Sequence, residues 1–377
     1  MRTPPQASGH FTALDALRGV AACGVALAHV PWTYTLSDVA GRNGHLFVDF
    51  FFVLSGFVIA FNYGGKIAGG AARFVWLRFW RLYPLHFAML MVFVVIEAMK
   101  WYAAQRYGLA ANHPAFVQSS PRAFAANLLL LQAVADTKAF NSVSWSISTE
   151  FAAYLVFAAV GLAAGRRWLL ASAGVLIVAA IFVALDQGGM NRTVGALAFN
   201  RCLFGFFLGV MTFWAASRTD VFSRLGPRAA ALVCAVPILT LAALLIFNTA
   251  RQTEFLAPLL STAVIFALVA SPPNAVAAAL STPAMAWLGR ISYSIYMVHL
   301  AVFWAISQVL RVVLHLPEVS LGGAEKIYLV VPQPFADLLA AAALAAIMLL
   351  AHGTYGWIEA PWRNWSRSHG LGLRPAP

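Results

Sequence analysis

Few residues of this chain have side chains suited to chemistry, and His29 is the one most suited to moving a proton. It follows Arg18 by eleven positions in LDALRGVAACGVALAHV, which on a helix is roughly 16 Å at about 1.5 Å per residue. An imidazole can take a hydroxyl proton near neutral pH, so a histidine near mid-membrane suits acyl transfer. A core histidine that hydrogen-bonds between helices fits the same spacing. Spacing alone does not decide between the two roles.

Two carboxylates are predicted at or near membrane depth. An ionised side chain is costly there, so each carboxylate is a functional candidate by default. Asp49 could orient His29 and stabilise its imidazolium, although pairing with an arginine of another helix explains it at least as well. Glu150 follows Trp145 and Ser146, and these side chains could bind an acceptor while Glu150 assists proton transfer. The alternatives are helix capping for Glu150 and an aromatic interfacial belt for Trp145.

An arginine cluster precedes the third apolar run. Arg78 and Arg81 stand three apart and share a helix face, with Arg73 nearby. Such a cluster can hold phosphate groups bidentately. It can equally anchor the chain on anionic lipid, and Arg18 carries the same ambiguity.

The remaining polar residues within apolar runs have weaker patterns. Ser55 has no nucleophile elbow around it, and serine followed by glycine is more typical of close helix packing. Tyr293, Tyr296 and His299 recur at i, i+3 and i+6, so they could line a cavity from one helix face. Arg201 is expected in a structural ion pair.

The elements that must position these residues are predicted to be transmembrane helices. The 377 residues are 61% hydrophobic and 10% charged, against about 25% charged in soluble proteins, which excludes a soluble globule. Ten runs are close to the length needed to cross a bilayer: 13–34, 44–63, 83–104, 147–164, 168–185, 197–215, 229–248, 255–271, 291–311 and 336–356. We therefore predict an all-α polytopic membrane protein of about ten transmembrane helices around a central cavity open toward both faces, with 1–377 forming a single membrane domain and no appended soluble domain.

The distribution of charge predicts orientation and excludes some ligands. With ten spans, fifteen lysines and arginines fall on the side of the termini and ten on the other, which places both termini in the cytoplasm. The net charge of +12 is spread over short connections, which argues against nucleic acid and leaves membrane lipid as a partner. The three cysteines have no metal-ligand spacing, so no metal site is expected. The oligomeric state stays open.

Six segments, in this order, resemble motifs of the acyltransferase 3 family of integral membrane acyltransferases. They are LDALRGVAACGVALAHV, GHLFVDFFFVLSGFVIA, RFWRLYPLHF, SVSWSISTEFAAY, LGRISYSIYMVH and YGWIEAPWR. The resemblance covers nearly the whole chain. Departures at Ala16, His86, Thr149 and Phe151 remove no candidate catalytic group but leave the subfamily and substrate open.

The resemblance implies a bacterial inner-membrane enzyme that moves an acyl group, with acetyl expected, from cytoplasmic acyl-coenzyme A to a carbohydrate hydroxyl outside the cytoplasm. Exopolysaccharide or lipopolysaccharide would be such an acceptor. Acyl-coenzyme A would be a co-substrate, with no permanently bound cofactor. The resemblance favours a catalytic role for His29 and assigns the arginine cluster to the donor, and the acceptor would enter near Trp145 and Glu150.

A proton-coupled secondary transporter or exporter is the alternative, because buried histidine, aspartate and arginine also describe a proton relay. Two features count against it. The sequence shows no pair of matching halves, and its intramembrane charges cluster in the first four spans.

Overall fold

The computed structural model describes residues 11–108, 114–117, 120–186, 189–320 and 327–369. The first half forms α1 (Thr12–Ala28), α2 (Ser37–Asn43), α3 (Phe47–Tyr63), α4 (Ile67–Tyr107), α5 (Pro121–Leu128), α6 (Trp145–Ala164) and α7 (Trp168–Leu185). The second half forms α8 (Gly195–Ala216), α9 (Pro227–Phe247), α10 (Leu256–Ala270), α11 (Ala275–Leu280), α12 (Pro283–Gln308), α13 (Phe335–Thr354) and α14 (Ala360–Ser368). Arg2, Lys326 and Arg374, which contribute to the charge asymmetry, lie outside the described residues.

The predicted all-α polytopic membrane fold is confirmed. Within the described residues, eight helical stretches are long and apolar enough to cross a membrane. One stretch, Ser142–Leu185, contains both α6 and α7, and the 17-residue α1 is not among the eight. The ten predicted spans correspond to ten long helices: α1, α3, α4, α6, α7, α8, α9, α10, α12 and α13.

The third span begins far earlier than its apolar run suggested. Helix α4 starts at Ile67 rather than at 83 because its basic first half is also helical. The aromatic residues of that half pack on α14, with the ring of Trp80 stacked 4.9 Å from that of Trp362 and Trp76 lying 5.9 Å from Trp365. An apolar-run criterion stops at the first charges, whereas the helix continues because α14 covers one of its faces.

Glycines allow the helices around the site to approach closely, as small residues do at membrane helix interfaces. A Cβ at Gly56 of α3 would collide with a backbone carbonyl of α8, and one at Gly209 of α8 would collide with a backbone carbonyl of α3. Gly19 of α1 and Gly289 of α12 face each other in the same way. These contacts bring α1, α3, α8 and α12 together.

A small hairpin is the departure from a purely helical chain. Strand β1 (Glu318–Ser320) pairs antiparallel with β2 (Ile327–Leu329). The segment after α1 is tied to β2, because the backbone nitrogen of Thr33 donates to the Leu329 carbonyl at 3.0 Å and that of Leu329 donates to the Pro31 carbonyl at 2.9 Å. The hairpin therefore holds the chain that follows His29.

Candidate active site

A cavity of about 350 Å³ lies at the centre of the bundle. Its wall follows α3 from Tyr63 to Val48, which is roughly 22 Å of helix at about 1.5 Å per residue. Exposed Arg290 and Arg367 line one end, whereas buried residues such as Ser146 and Tyr296 line the other. The cavity thus opens at its arginine end and is closed at the opposite end, unlike the predicted cavity open toward both faces.

Six arginines from α1, α4, α12 and α14 line this cavity: Arg18, Arg78, Arg81, Arg290, Arg363 and Arg367. Arg18 is fixed by α12, since its Nε donates to Ser292 Oγ at 2.9 Å and its Nη2 donates to the Gly289 carbonyl at 2.9 Å. Its Nη2 also lies 3.1 Å from a carboxylate oxygen of Asp15. The close approach of α1 to α12 therefore positions Arg18.

Arg78 and Arg363 each have a side-chain nitrogen atom without a hydrogen-bond partner among the described residues. Arg78 Nη2 donates to a tyrosine hydroxyl at 3.2 Å and Arg363 Nη2 does so at 3.0 Å, but the Nε of each is buried with no hydrogen-bond partner among the described residues. Arg81 lies 3.9 Å from the Glu359 carboxylate. Buried donors of this kind are normally satisfied, so the mouth of the cavity suits an anionic ligand.

Arg73, predicted to join the donor site, is not among the residues that line the cavity. It precedes Arg78 by five positions, which is a rotation of roughly 140° at about 100° per residue. Arg78 and Arg81 point into the cavity, and Arg73 lies on another face of α4.

A hydrogen-bonded carboxylate lies deeper in the cavity. Ser55 Oγ donates to Glu150 Oε1 at 2.7 Å, and the Tyr154 hydroxyl donates to the same oxygen at 2.5 Å. All three side chains line the cavity. Helix α6 begins at Trp145, so Glu150 lies in its second turn, beyond the positions where side chains cap a helix.

Asp49 is engaged by Arg201 of α8. Arg201 Nε lies 2.9 Å from Oδ1 and Nη2 lies 2.8 Å from Oδ2, and both side chains are buried. Of the two predicted roles for Asp49, the structure shows the ion pair. Trp145 lies against the same guanidinium at 5.4 Å and is 6% exposed, so it presents neither a sugar platform nor a belt residue here.

His29 lies just beyond the end of α1, and its side chain is exposed at the surface of the protein. The helix stops there because Pro31 follows two residues later and disfavours helical backbone at the residue before it. His29 Nδ1 is 2.8 Å from the Val25 carbonyl. A carbonyl only accepts, so Nδ1 carries the proton and the lone pair of the neutral ring is on Nε2.

Tyr296 and His299 of α12 separate the closed end of the cavity from His29. The Tyr296 hydroxyl lies 2.8 Å from Ser146 Oγ at the cavity wall. The His299 ring is centred 6.1 Å from that of Tyr296 and 5.2 Å from that of His29. Tyr293 and Tyr296 line the cavity, whereas His299, predicted to do so, lies fully buried behind them because it projects one turn further along the helix.

A sequence model of the acyltransferase domain of the acyltransferase 3 family matches residues 11–352. The chain belongs to this family. A curated relative, protein 2 in the picA locus of Rhizobium radiobacter, is 39% identical over 88 residues, which are 22% of this chain and 43% of that protein. The chain thus spans less than half the length of this relative. No solved structure matches.

Sequence reasoning missed several cavity residues of this acyltransferase 3 protein. Tyr154 follows Glu150 by one helical turn, a spacing that could have indicated their contact. Arg363 and Arg367 lie near the end of the described chain, and their four-residue spacing could have indicated a shared helix face. Their approach to α4 depends on how α14 packs, which no local pattern predicts.

Proposed function

We propose that this membrane acyltransferase transfers a short acyl group, with acetyl expected, from acyl-coenzyme A to a hydroxyl of an extracytoplasmic carbohydrate such as exopolysaccharide or lipopolysaccharide. The observation that carries the proposal is a cavity that leads from six arginines to a closed polar end, where Tyr296 and His299 separate it from His29. The arginine end would face the cytoplasm of a bacterium, with both termini on that side of the inner membrane. Membership of an acyltransferase family favours this function over the transporter alternative.

The donor would bind with its phosphates at the arginine end. The unpartnered Nε atoms of Arg78 and Arg363 supply charge-assisted donors, and such bonds to phosphate oxygens are short and strong. The long, narrow cavity along α3 then suits the extended arm of coenzyme A, and the thioester would reach the end lined by Ser146 and Tyr296. This substrate leaves after each turnover, so no permanently bound cofactor is needed.

The acceptor would approach from the exposed side of His29. Nε2 takes the proton of the acceptor hydroxyl, the oxygen bonds to the thioester carbon, and the carbon–sulfur bond breaks. The released thiolate finally takes up the proton. Glu150 lies on the donor side of Tyr296 and would contact the donor arm. No contact therefore supports its predicted role in binding the acceptor.

A covalent acyl-histidine relay is the alternative route to the same product. Direct attack forms no acyl-enzyme, whereas a relay accumulates one when acceptor is withheld. Mass spectrometry of the intact protein after mixing with acetyl-coenzyme A alone separates the two routes.

His29→Ala tests the function in cells of a strain that carries the gene. We expect the acyl ester to disappear from its surface glycans, because the only proposed base is removed, as measured by mass spectrometry of the released glycans. His315→Ala is the matched control, since His315 is an exposed histidine in the connection after α12. Unchanged glycan acylation in the His29→Ala strain, or in a strain without the gene, would exclude the proposal.

A further inference from the structure

His299 has a nitrogen atom that the fold leaves unused. Its Nδ1 is 3.2 Å from the Ile295 carbonyl, so Nδ1 donates and the lone pair lies on Nε2. The residue is fully buried, and Nε2 has no hydrogen-bond partner among the described residues. Buried polar atoms without partners are rare in native proteins, and each calls for an explanation such as a ligand or a reaction role.

The surroundings of His299 indicate which role. Its ring contacts those of His29 at 5.2 Å, Tyr296 at 6.1 Å and Phe303 at 6.1 Å, all within ring-contact range. Both histidines donate from Nδ1 to the carbonyl four residues earlier, so each neutral ring has its lone pair on Nε2. Because the two ring centres are 5.2 Å apart, a proton gained by one ring lies close to the other imidazole.

We propose that His299 is a positioning residue that shares the proton taken up by His29 during acyl transfer. The proposal rests on the proposed function. As the acceptor oxygen bonds to the thioester carbon, its proton passes to His29 Nε2, and His299 Nε2 accepts a hydrogen bond from that new N–H group. When the carbon–sulfur bond breaks, the thiolate of coenzyme A takes the proton and both rings return to neutral. The step needs no further reactant.

The location of His299 supports this role over simple space filling. His299 lies between the closed end of the donor cavity and the exposed His29, so it is the buried imidazole closest to where donor and acceptor would meet among the described residues. His86 is a useful contrast. It is also buried and has one unpartnered ring nitrogen, Nδ1, but it lies on α4 outside the cavity wall and bonds to the Asn127 carbonyl.

The test compares His299→Phe with His86→Phe in everted membrane vesicles supplied with radiolabelled acetyl-coenzyme A, with label in the glycan fraction as the readout. Phenylalanine fills a similar space and holds no proton. We expect His299→Phe to lower kcat by about 100-fold, the low end of general acid–base effects, with the KM for donor unchanged. His86→Phe should leave both constants unchanged. In His299→Ala, added imidazole should restore part of kcat.

Several outcomes would overturn the inference. They are a wild-type kcat in His299→Phe, a rise in donor KM without a fall in kcat, or slow turnover of His299→Ala that imidazole does not restore. If His299→Phe does not fold, His299→Gln serves, because its side chain hydrogen-bonds without holding a proton, and full activity there also overturns the inference. Transfer by the wild type with an active His299→Phe variant refutes only the role of His299, whereas no transfer by the wild type refutes the proposed function.

Discussion

Arginines lie in two regions of this bundle, between α3 and α8 and at the mouth of the cavity, and the two regions differ in what neutralises their charge. Between α3 and α8, Arg201 meets both carboxylate oxygens of Asp49. At the mouth of the cavity, Arg78 and Arg363 each donate to a tyrosine hydroxyl, and no ion pair joins either to a carboxylate of the described residues. The Asp49–Arg201 pair is complete within the protein, whereas Arg78 and Arg363 have no carboxylate partner among the described residues, and an anionic substrate can supply one.

The comparison teaches that depth in the membrane does not by itself make a charge functional. An ionisable residue within a span is a functional candidate by default, and Asp49 met that criterion in the sequence, whereas Arg78 preceded the third predicted span. The local partner separates them. Substitutions in the two regions should therefore change different properties, stability in one and donor affinity in the other.

The largest effect is expected for Asp49→Asn. The substitution leaves Arg201 buried without its counter-charge, and breaking a buried ion pair in this way costs about 3–5 kcal/mol. We expect a lower free energy of unfolding for the detergent-solubilised protein, measured by denaturant titration. The double variant Asp49→Leu with Arg201→Met removes both charges and should recover much of this loss. A fully stable, inactive Asp49→Asn variant would instead place Asp49 in the chemistry and remove the distinction between the regions.

Arg78→Gln and Arg363→Gln should each weaken donor binding with little change in stability. A hydrogen bond to a charged group contributes about 1.5–3 kcal/mol, and about 1.4 kcal/mol corresponds to tenfold in Kd. Each substitution should therefore raise the Kd for acetyl-coenzyme A by roughly tenfold to a hundredfold, measured by calorimetry.

Arg73→Gln is the matched control for these two variants. It removes the same charge from the same helix as Arg78→Gln, but outside the cavity wall. Donor affinity should stay at the wild-type value. Equal losses of donor affinity in Arg73→Gln and Arg78→Gln would favour the lipid-anchor role of the cluster. An anchor depends on the total positive charge and not on which arginines point into the cavity.

Local patterns predicted those features that depend on one helix at a time. The apolar runs located all ten long helices. The three-residue spacing predicted that Arg78 and Arg81 share a helix face, and both side chains line the cavity. The partner of Asp49 was beyond reach, because Arg201 is 152 positions away and meets it only through the close packing of α3 on α8. Pro31 indicated that α1 ends before His29, but the apolar run continues to residue 34 and led to a longer predicted span.

The smallest effect is expected for Ser55→Ala. This variant tests whether Glu150 serves stability, like Asp49, or donor binding, like Arg78. Glu150 Oε1 accepts from Ser55 and Tyr154, so unlike Asp49 it is held by neutral donors, and its side chain lines the cavity. Loss of one such bond costs about 0.5–1.5 kcal/mol. We expect a rise in the KM for acetyl-coenzyme A of roughly two- to tenfold, with a similar rise in Tyr154→Phe. If Ser55→Ala instead lowers stability as much as Asp49→Asn while KM is unchanged, Glu150 is a structural carboxylate and the donor site is formed by the arginines.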